Sequence, residues 1–133
     1  MSTAFICNAC GTQYAPSDAP PASCPVCEDD RQYVDWNGQQ WTTHAELAKR
    51  FKLRIGDDAG LLSIAIDGMF AIPQRGLHLR TDAGNILWES ISLVTDEAVD
   101  ALRKAGGVDR IIVSHPHFYS SMVEWSEALG GVE

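Results

Sequence analysis

Beyond residue 27 the sequence contains no cysteine, and that absence shapes the rest of the reading. A chain stapled by disulfides spreads its cysteines along its length. Four thiols confined to the first 27 residues point instead to one local site in a reducing compartment. Basic side chains are scarce as well: 10 Lys and Arg stand against 18 Asp and Glu, a formal net charge of −8. Such a surface repels phosphate backbones and the anionic leaflet of a membrane, so neither nucleic acid nor a membrane is expected as a partner. No stretch approaches the ~20 consecutive apolar residues that a membrane helix needs. Met1 to Ile6 lacks the basic start and apolar run of a secretory signal, so the expected address is the cytoplasm.

What is present begins with two Cys-x-x-Cys pairs, Cys7/Cys10 and Cys24/Cys27, separated by 13 residues. Each pair can clasp one side of a tetrahedral metal ion from a tight turn. Gly11 follows the first pair and tolerates positive φ, and Pro25 lies inside the second and fixes φ, so each turn has a residue suited to it. Four thiolates at tetrahedral positions select zinc or iron. Cys7-Asn8-Ala9-Cys10-Gly11-Thr12-Gln13-Tyr14 with Cys24-Pro25-Val26-Cys27 resembles a rubredoxin-type ribbon, both in the Gly and Tyr after the first pair and in the Cys-Pro of the second. The loop from Ala15 to Ser23 is shorter than a rubredoxin's. Structural zinc is therefore the favoured expectation, and an iron site that moves electrons the alternative. The ribbon is expected to occupy residues 1–35.

After it, Glu28 to Gly38 is polar and turn-rich and reads as a linker, with Tyr33, Val34 and Trp36 spaced as in a short strand. Thr43-His44-Ala45-Glu46 forms a capping box before Leu47, Ala48 and Phe51, which predicts a helix ending near Gly56. From Gly60 the apolar period becomes two. Leu62, Ile64 and Ile66 predict a strand, Asp67-Gly68 a hairpin turn, and Met69 to Ile72 its returning partner, with Pro73 as a break. Leu77 to Arg80 and Ile86 to Trp88 flank Asp82-Ala83-Gly84-Asn85 as a second hairpin. Thr95 is a plausible N-cap, Asp96 and Glu97 suit a helix start, and Ala98, Val99, Ala101, Leu102 and Ala105 supply an apolar face ending at Gly106-Gly107. Ile111-Ile112-Val113 predicts a buried strand parallel to the one before the helix. Ser121 with Glu124 reads as a capping box for a last helix through Trp125.

Ser114-His115-Pro116-His117 stands at the carboxyl end of that last strand, where α/β proteins place ligands. In an extended segment the x between two histidines puts both imidazoles on one side, so His115 and His117 are a candidate second metal site, where such sites normally take three protein ligands. His44 and His78 read as surface or packing residues. Asp67 reads first as a turn residue, Glu89 as a solvated carboxylate near a strand end, and Glu124 as a cap. Trp36, Trp41, Trp88 and Trp125 are expected to fill the core and the ribbon contact.

The residues from Leu61 to Trp125 resemble the metallo-β-lactamase-fold hydrolases. They do so through Gly84-Asn85-Ile86-Leu87-Trp88-Glu89, the helix into Gly106-Gly107, and Ile111-Ile112-Val113-Ser114-His115-Pro116-His117-Phe118-Tyr119-Ser120-Ser121. The resemblance implies an α+β chain in which residues 36–133 form the first half of an αββα domain. It implies that His115 and His117 ligate a zinc ion whose bound water attacks an ester, thioester or related bond, with Tyr119 beside the substrate. Tyr119 and Ser120 replace the Asp and His of the family's His-x-His-x-Asp-His motif, and the family's later ligands have no counterpart here. One chain alone would then be inactive. Either the chain is a truncated one, or a second copy or a completing partner chain supplies what is missing. A non-catalytic ribbon module that docks to a partner is the alternative function.

Overall fold

The computed structural model describes residues 2–29 and 34–133. Of the short strand expected around Tyr33, Tyr33 itself lies outside the described residues, while Val34 and Trp36 belong to no strand. The chain is mixed α+β. β1 (Phe5–Cys7) pairs antiparallel with β2 (Trp41–Thr43), a pairing that crosses the expected boundary at residue 35. α1 (His44–Arg50) follows directly. A five-stranded sheet then runs in sequential order: β3 (Lys52–Asp58), β4 (Leu61–Asp67), β5 (Arg75–Leu79), β6 (Ile86–Trp88) and β7 (Arg110–Ile112). α2 (Asp96–Lys104) connects β6 to β7, and α3 (Met122–Ala128) closes the chain.

α1 starts as expected, with the Thr43 hydroxyl accepting from the Glu46 amide at 3.2 Å, but it stops at Arg50 rather than near Gly56. Leu53 and Ile55 alternate with Arg54 and Gly56, and this period of two wins over the helix by pairing all seven residues of β3 with β4. The hairpin between them turns on Ala59 (φ 53°) and Gly60 (φ 86°), positive at both central positions as a two-residue turn of matching twist requires. Asp67-Gly68 ends β4 but begins no hairpin. Met69 is exposed, Phe70 enters the core, and β4 pairs instead with β5, which starts only after Pro73. The β5–β6 hairpin and the Thr95-capped α2 form as read, and β7 joins β6 in parallel.

β7 is an edge strand and not a buried one, since Ile112 is 40% exposed. Two tryptophans also depart from expectation, Trp36 being 97% and Trp88 43% exposed, whereas Trp125 is fully buried. The capping box at α3 does not form. The Ser121 hydroxyl donates to the Ser92 carbonyl (2.8 Å), and Glu124 accepts from Gln13 Nε2 (2.6 Å).

Two apolar clusters hold this arrangement. Ile64, Leu87, Ile91, Ala98, Val99, Leu102 and Trp125 join the inner sheet face to α2 and α3, and Ile6, Leu47, Ile66, Phe70 and Leu93 join β1 and α1 to the sheet. Between them runs residues 89–93, buried yet in no strand or helix. A buried irregular backbone needs other partners, and side chains provide them. The Ser120 hydroxyl donates to the Ser90 carbonyl (3.2 Å), Trp125 Nε1 to Ile91 (2.9 Å), and the Ser92 amide to Gln74 Oε1 (2.7 Å).

Candidate metal centre

The first knuckle sits at the tip of a short two-stranded ribbon. Thr3 and Ser17 exchange backbone hydrogen bonds at 2.8 and 3.0 Å, Tyr14 donates to Phe5 (2.9 Å), and Cys7 donates to Thr12 (3.0 Å). The turn closes when the Gly11 amide reaches the Cys7 carbonyl (2.8 Å), with Gly11 at φ +80° as its lack of a Cβ allows. The second knuckle closes through the Cys27 and Glu28 amides on the Cys24 carbonyl, at 2.9 and 3.0 Å. Facing each other, the two turns bring all four sulfurs within 4.8 Å of one another, with Cys7 and Cys27 at 3.6 Å and Cys10 and Cys24 at 3.7 Å. A metal–sulfur bond of ~2.3 Å at tetrahedral angles places sulfurs about 3.8 Å apart, so the cluster has the dimensions of an S4 metal site. All four cysteines are buried and none is in a disulfide.

The electrostatics point the same way. The Cys10 thiol beside Cys7 lowers the Cys7 pKa to about 5 against the opposing effect of burial. The same pairing raises Cys10, and burial adds to it. Burial and then the neighbouring Cys7 push Cys27 up to about 12, and burial followed by Cys24 raises Tyr14. One thiolate in this pocket thus disfavours the next, and a full set of four requires a cation among them. Donors already face the sulfurs: Gln39 Nε2 donates to Cys7 Sγ (2.9 Å), and the Tyr14 hydroxyl lies 3.0 Å from Cys24 Sγ. Outer groups of this kind orient ligands and temper their charge.

The centre is fastened to the sheet domain. The Ser92 hydroxyl donates to the Gly11 carbonyl (2.6 Å) and accepts from Gln74 Nε2 (2.9 Å), and the Gln13 amide donates to Ser120 (2.9 Å). A Cβ at Gly11 would lie 2.2 Å from Gln74 Nε2 and 2.4 Å from Ser92 Oγ, so close approach as well as positive φ demands glycine there. His44 Nε2 accepts from the Val94 amide (3.0 Å), which turns Nδ1 toward Glu124 Oε1 at 3.9 Å. Sequence reasoning missed this seam. Its only signal was the alternation Ser90-Ile91-Ser92-Leu93 in a segment with too few residues for a strand of its own.

His115 and His117 lie just after β7, but the segment turns into a 3₁₀ turn (Pro116–Phe118) instead of staying extended. The rings stack at 4.7 Å, with their Nδ1 atoms 2.9 Å apart, and His115 Nδ1 also accepts the His117 amide (3.2 Å). Among the described residues the four cysteines are the only group of three or more His, Cys, Asp or Glu side chains gathered at metal-binding distance. Tyr119 is exposed beside the pair. Glu89, expected in solvent, is 8% exposed. It stands at φ +68°, where its Oε1 accepts the Ser114 amide (3.0 Å) and its Oε2 has no partner among the described residues. His78 is a packing residue, buried and bonded through Nε2 to the Gly107 carbonyl (2.7 Å). Among the described residues no helix is long and apolar enough to cross a membrane.

The four-cysteine cluster has the composition and spacing of a metal-binding site, and comparison with known proteins adds one relative. The uncharacterized protein YmaE of Bacillus subtilis (strain 168) is 38% identical over 127 residues, which cover 93% of this chain and 46% of YmaE. The chain therefore spans about half the length of the curated relative it matches. No family model and no solved structure matches it.

Proposed function

We infer that the chain is a zinc protein in which Cys7, Cys10, Cys24 and Cys27 hold one structural ion that clamps the two knuckles of the ribbon together. The observation that carries this is the meeting of two knuckles with sulfurs 3.6 and 3.7 Å apart in a buried pocket. The zinc supplies a positive charge and four bonds in place of a core. Gln39, Tyr14 and Thr12 orient the thiolates, and Ser92 and Gln74 hold the first knuckle in place. Zinc is favoured over iron because the ion's role here is architectural, and the ribbon is clamped against Ser92 and Ser120 as a support would be. The test is metal content per chain on freshly purified protein, with a visible absorption spectrum. One colourless zinc lost in Cys10→Ser supports the reading, and a coloured iron tetrathiolate replaces it with the electron carrier.

A second reading concerns the sheet domain. The parallel β6–α2–β7 unit, with His115 and His117 immediately beyond β7 and their Nδ1 atoms 2.9 Å apart, favours the first half of a metallo-β-lactamase-type hydrolase domain. In that reading the pair offers two of the ligands of a further zinc, Tyr119 borders the substrate, and the remaining ligands come from another segment or chain. The protein acts in the cytoplasm, where reduced thiols keep the ribbon loaded. A second zinc per chain, lost in His115→Ala/His117→Ala, supports it. One zinc in both proteins leaves the ribbon as the whole of the metal chemistry and favours a non-catalytic docking module.

A further inference from the structure

The loop that carries the histidine pair is fastened at its two ends by different parts of the molecule. At its start the sheet domain holds it, since the Ser114 amide donates to Glu89 Oε1 (3.0 Å). At its end the ribbon holds it, through a single residue. The Gln13 amide donates to the Ser120 carbonyl (2.9 Å), and Gln13 Nε2 donates to Glu124 Oε2 (2.6 Å) in the first turn of α3. His115 and His117 lie between these fastenings, in a 3₁₀ turn closed by the Phe118 amide on the His115 carbonyl (2.8 Å) and the Tyr119 amide on the Pro116 carbonyl (3.1 Å).

The second fastening bears on the shape of the loop because Ser120 stands at φ +45°, a left-handed conformation in a residue other than glycine. Such a conformation persists only where its surroundings over-determine it. Two bonds do so here, from the Ser120 hydroxyl to the Ser90 carbonyl (3.2 Å) and from the Gln13 amide to the Ser120 carbonyl. Ser120 is 2% exposed, so withdrawing Gln13 takes the donor from a buried carbonyl and lets the residue leave its strained conformation. The histidine turn, which ends two residues earlier, moves with it. Gln13 in turn depends on the first knuckle. It follows Cys10 by three residues in the turn closed by the Gly11 amide on the Cys7 carbonyl (2.8 Å) and the Cys7 amide on the Thr12 carbonyl (3.0 Å). Ser92 holds the same turn at the Gly11 carbonyl (2.6 Å) and the end of the loop at the Ser121 hydroxyl (2.8 Å). Two short routes of direct hydrogen bonds thus lead from the turn of Cys7 and Cys10 to residues 120 and 121.

We propose that Gln13 is a positioning residue through which the metal-loaded ribbon fixes the loop of His115 and His117, so that the order of the histidine pair depends on an ion held elsewhere. The proposal rests on the reading of the four cysteines as a structural metal site. Hydrogen exchange on the full chain tests it, read at residues 114–122 and at the ribbon, with the His115 and His117 imidazole resonances as a second readout. The zinc-loaded wild type is compared with the chelated wild type, with Gln13→Ala, and with Gln13→Lys, whose ammonium can again donate to Glu124. Chelation is expected to lower protection at residues 114–122 at least ~10-fold, together with that of Cys7 and Tyr14, while β4 and α2 keep theirs. Gln13→Ala is expected to keep its zinc and the protection of Cys7 and Cys27, to lose ~10-fold in protection at residues 114–122 as one charge-assisted bond is removed, and to shift the imidazole resonances. Gln13→Lys restores both readouts. If Gln13→Ala loses its zinc, Glu124→Ala removes the same bond from the side of α3. A ribbon that loosens on chelation while residues 114–122 stay protected overturns the proposal and leaves the structural ion standing. Ribbon amides that stay protected without metal refute the ion and the proposal with it. An unchanged loop in the zinc-loaded Gln13→Ala chain, or a Gln13→Lys chain as loose as Gln13→Ala, also overturns it.

Discussion

The ribbon and the sheet domain reach order by different means. Among the described residues the buried cluster of the candidate metal centre consists of four cysteines, flanked by partly buried Ala9, Tyr14, Val26, Val34 and Trp41. Without a metal such a cluster has little apolar area to bury, and one thiolate in it disfavours the next. The sheet domain buries Trp125, Leu87, Ile91, Leu102 and their neighbours with no help from a metal. On the proposed function, one half is held by coordination and the other by packing. The two meet along residues 89–93, where polar side chains do the joining.

Metal removal should separate the halves most sharply. Structural zinc in small ribbons contributes on the order of 10–16 kcal/mol of apparent binding energy, so chelation or Cys10→Ser should abolish hydrogen-exchange protection at Cys7, Tyr14 and Cys27. Protection of β4, β5 and α2 should persist, and its simultaneous loss would show the two halves to be one cooperative unit. Acid should act in the same direction, because the ion competes with protons for four thiolates. Metal affinity is then expected to fall steadily as pH is lowered, measured with a competing chromophoric chelator.

Next in size comes the packed half. Trp125→Ala should cost about 3–5 kcal/mol in urea unfolding, through the cavity and the lost bond to Ile91, while leaving metal content unchanged. At the joint, Ser92→Ala should cost about 1–3 kcal/mol by orphaning the Gly11 carbonyl and Gln74 Nε2. The signature there is lower stability with full zinc content, since no ligand is touched. Thr95→Ala, which removes only the cap of α2, should cost about 1 kcal/mol, and the same unfolding curves will show it.

How legible each half was follows from the same contrast. The clustering of the four cysteines could be read directly, because two Cys-x-x-Cys pairs are a local signal, and both knuckles close as Gly11 and Pro25 suggest. The β5–β6 hairpin and α2 were equally plain, since Thr95, Asp96 and Glu97 are local signals. β3 was hidden because Leu53 and Ile55 follow a capped helix closely enough to pass for its continuation. Only pairing with β4, seven residues long, reveals them as strand. Met69 to Ile72 had the composition of a strand, but Phe70 is buried instead with Leu47 of α1 and Ile66. The Ser121 and Glu124 cap failed for a related reason. Both side chains have long-range partners, Ser92 and Gln13, that no local pattern can announce. The exposed Trp88 belongs with these: its row alternates like a core strand, and the sequence does not say that only one face of the sheet receives helices.

The most direct test of the account is X-ray absorption at the metal edge of the purified chain, combined with metal quantification. One zinc per chain surrounded by four sulfurs at ~2.3 Å is the predicted result. A ribbon that keeps its order without stoichiometric metal, or an ion with nitrogen or oxygen in place of any of the four sulfurs, would contradict the claim that coordination holds the two knuckles together.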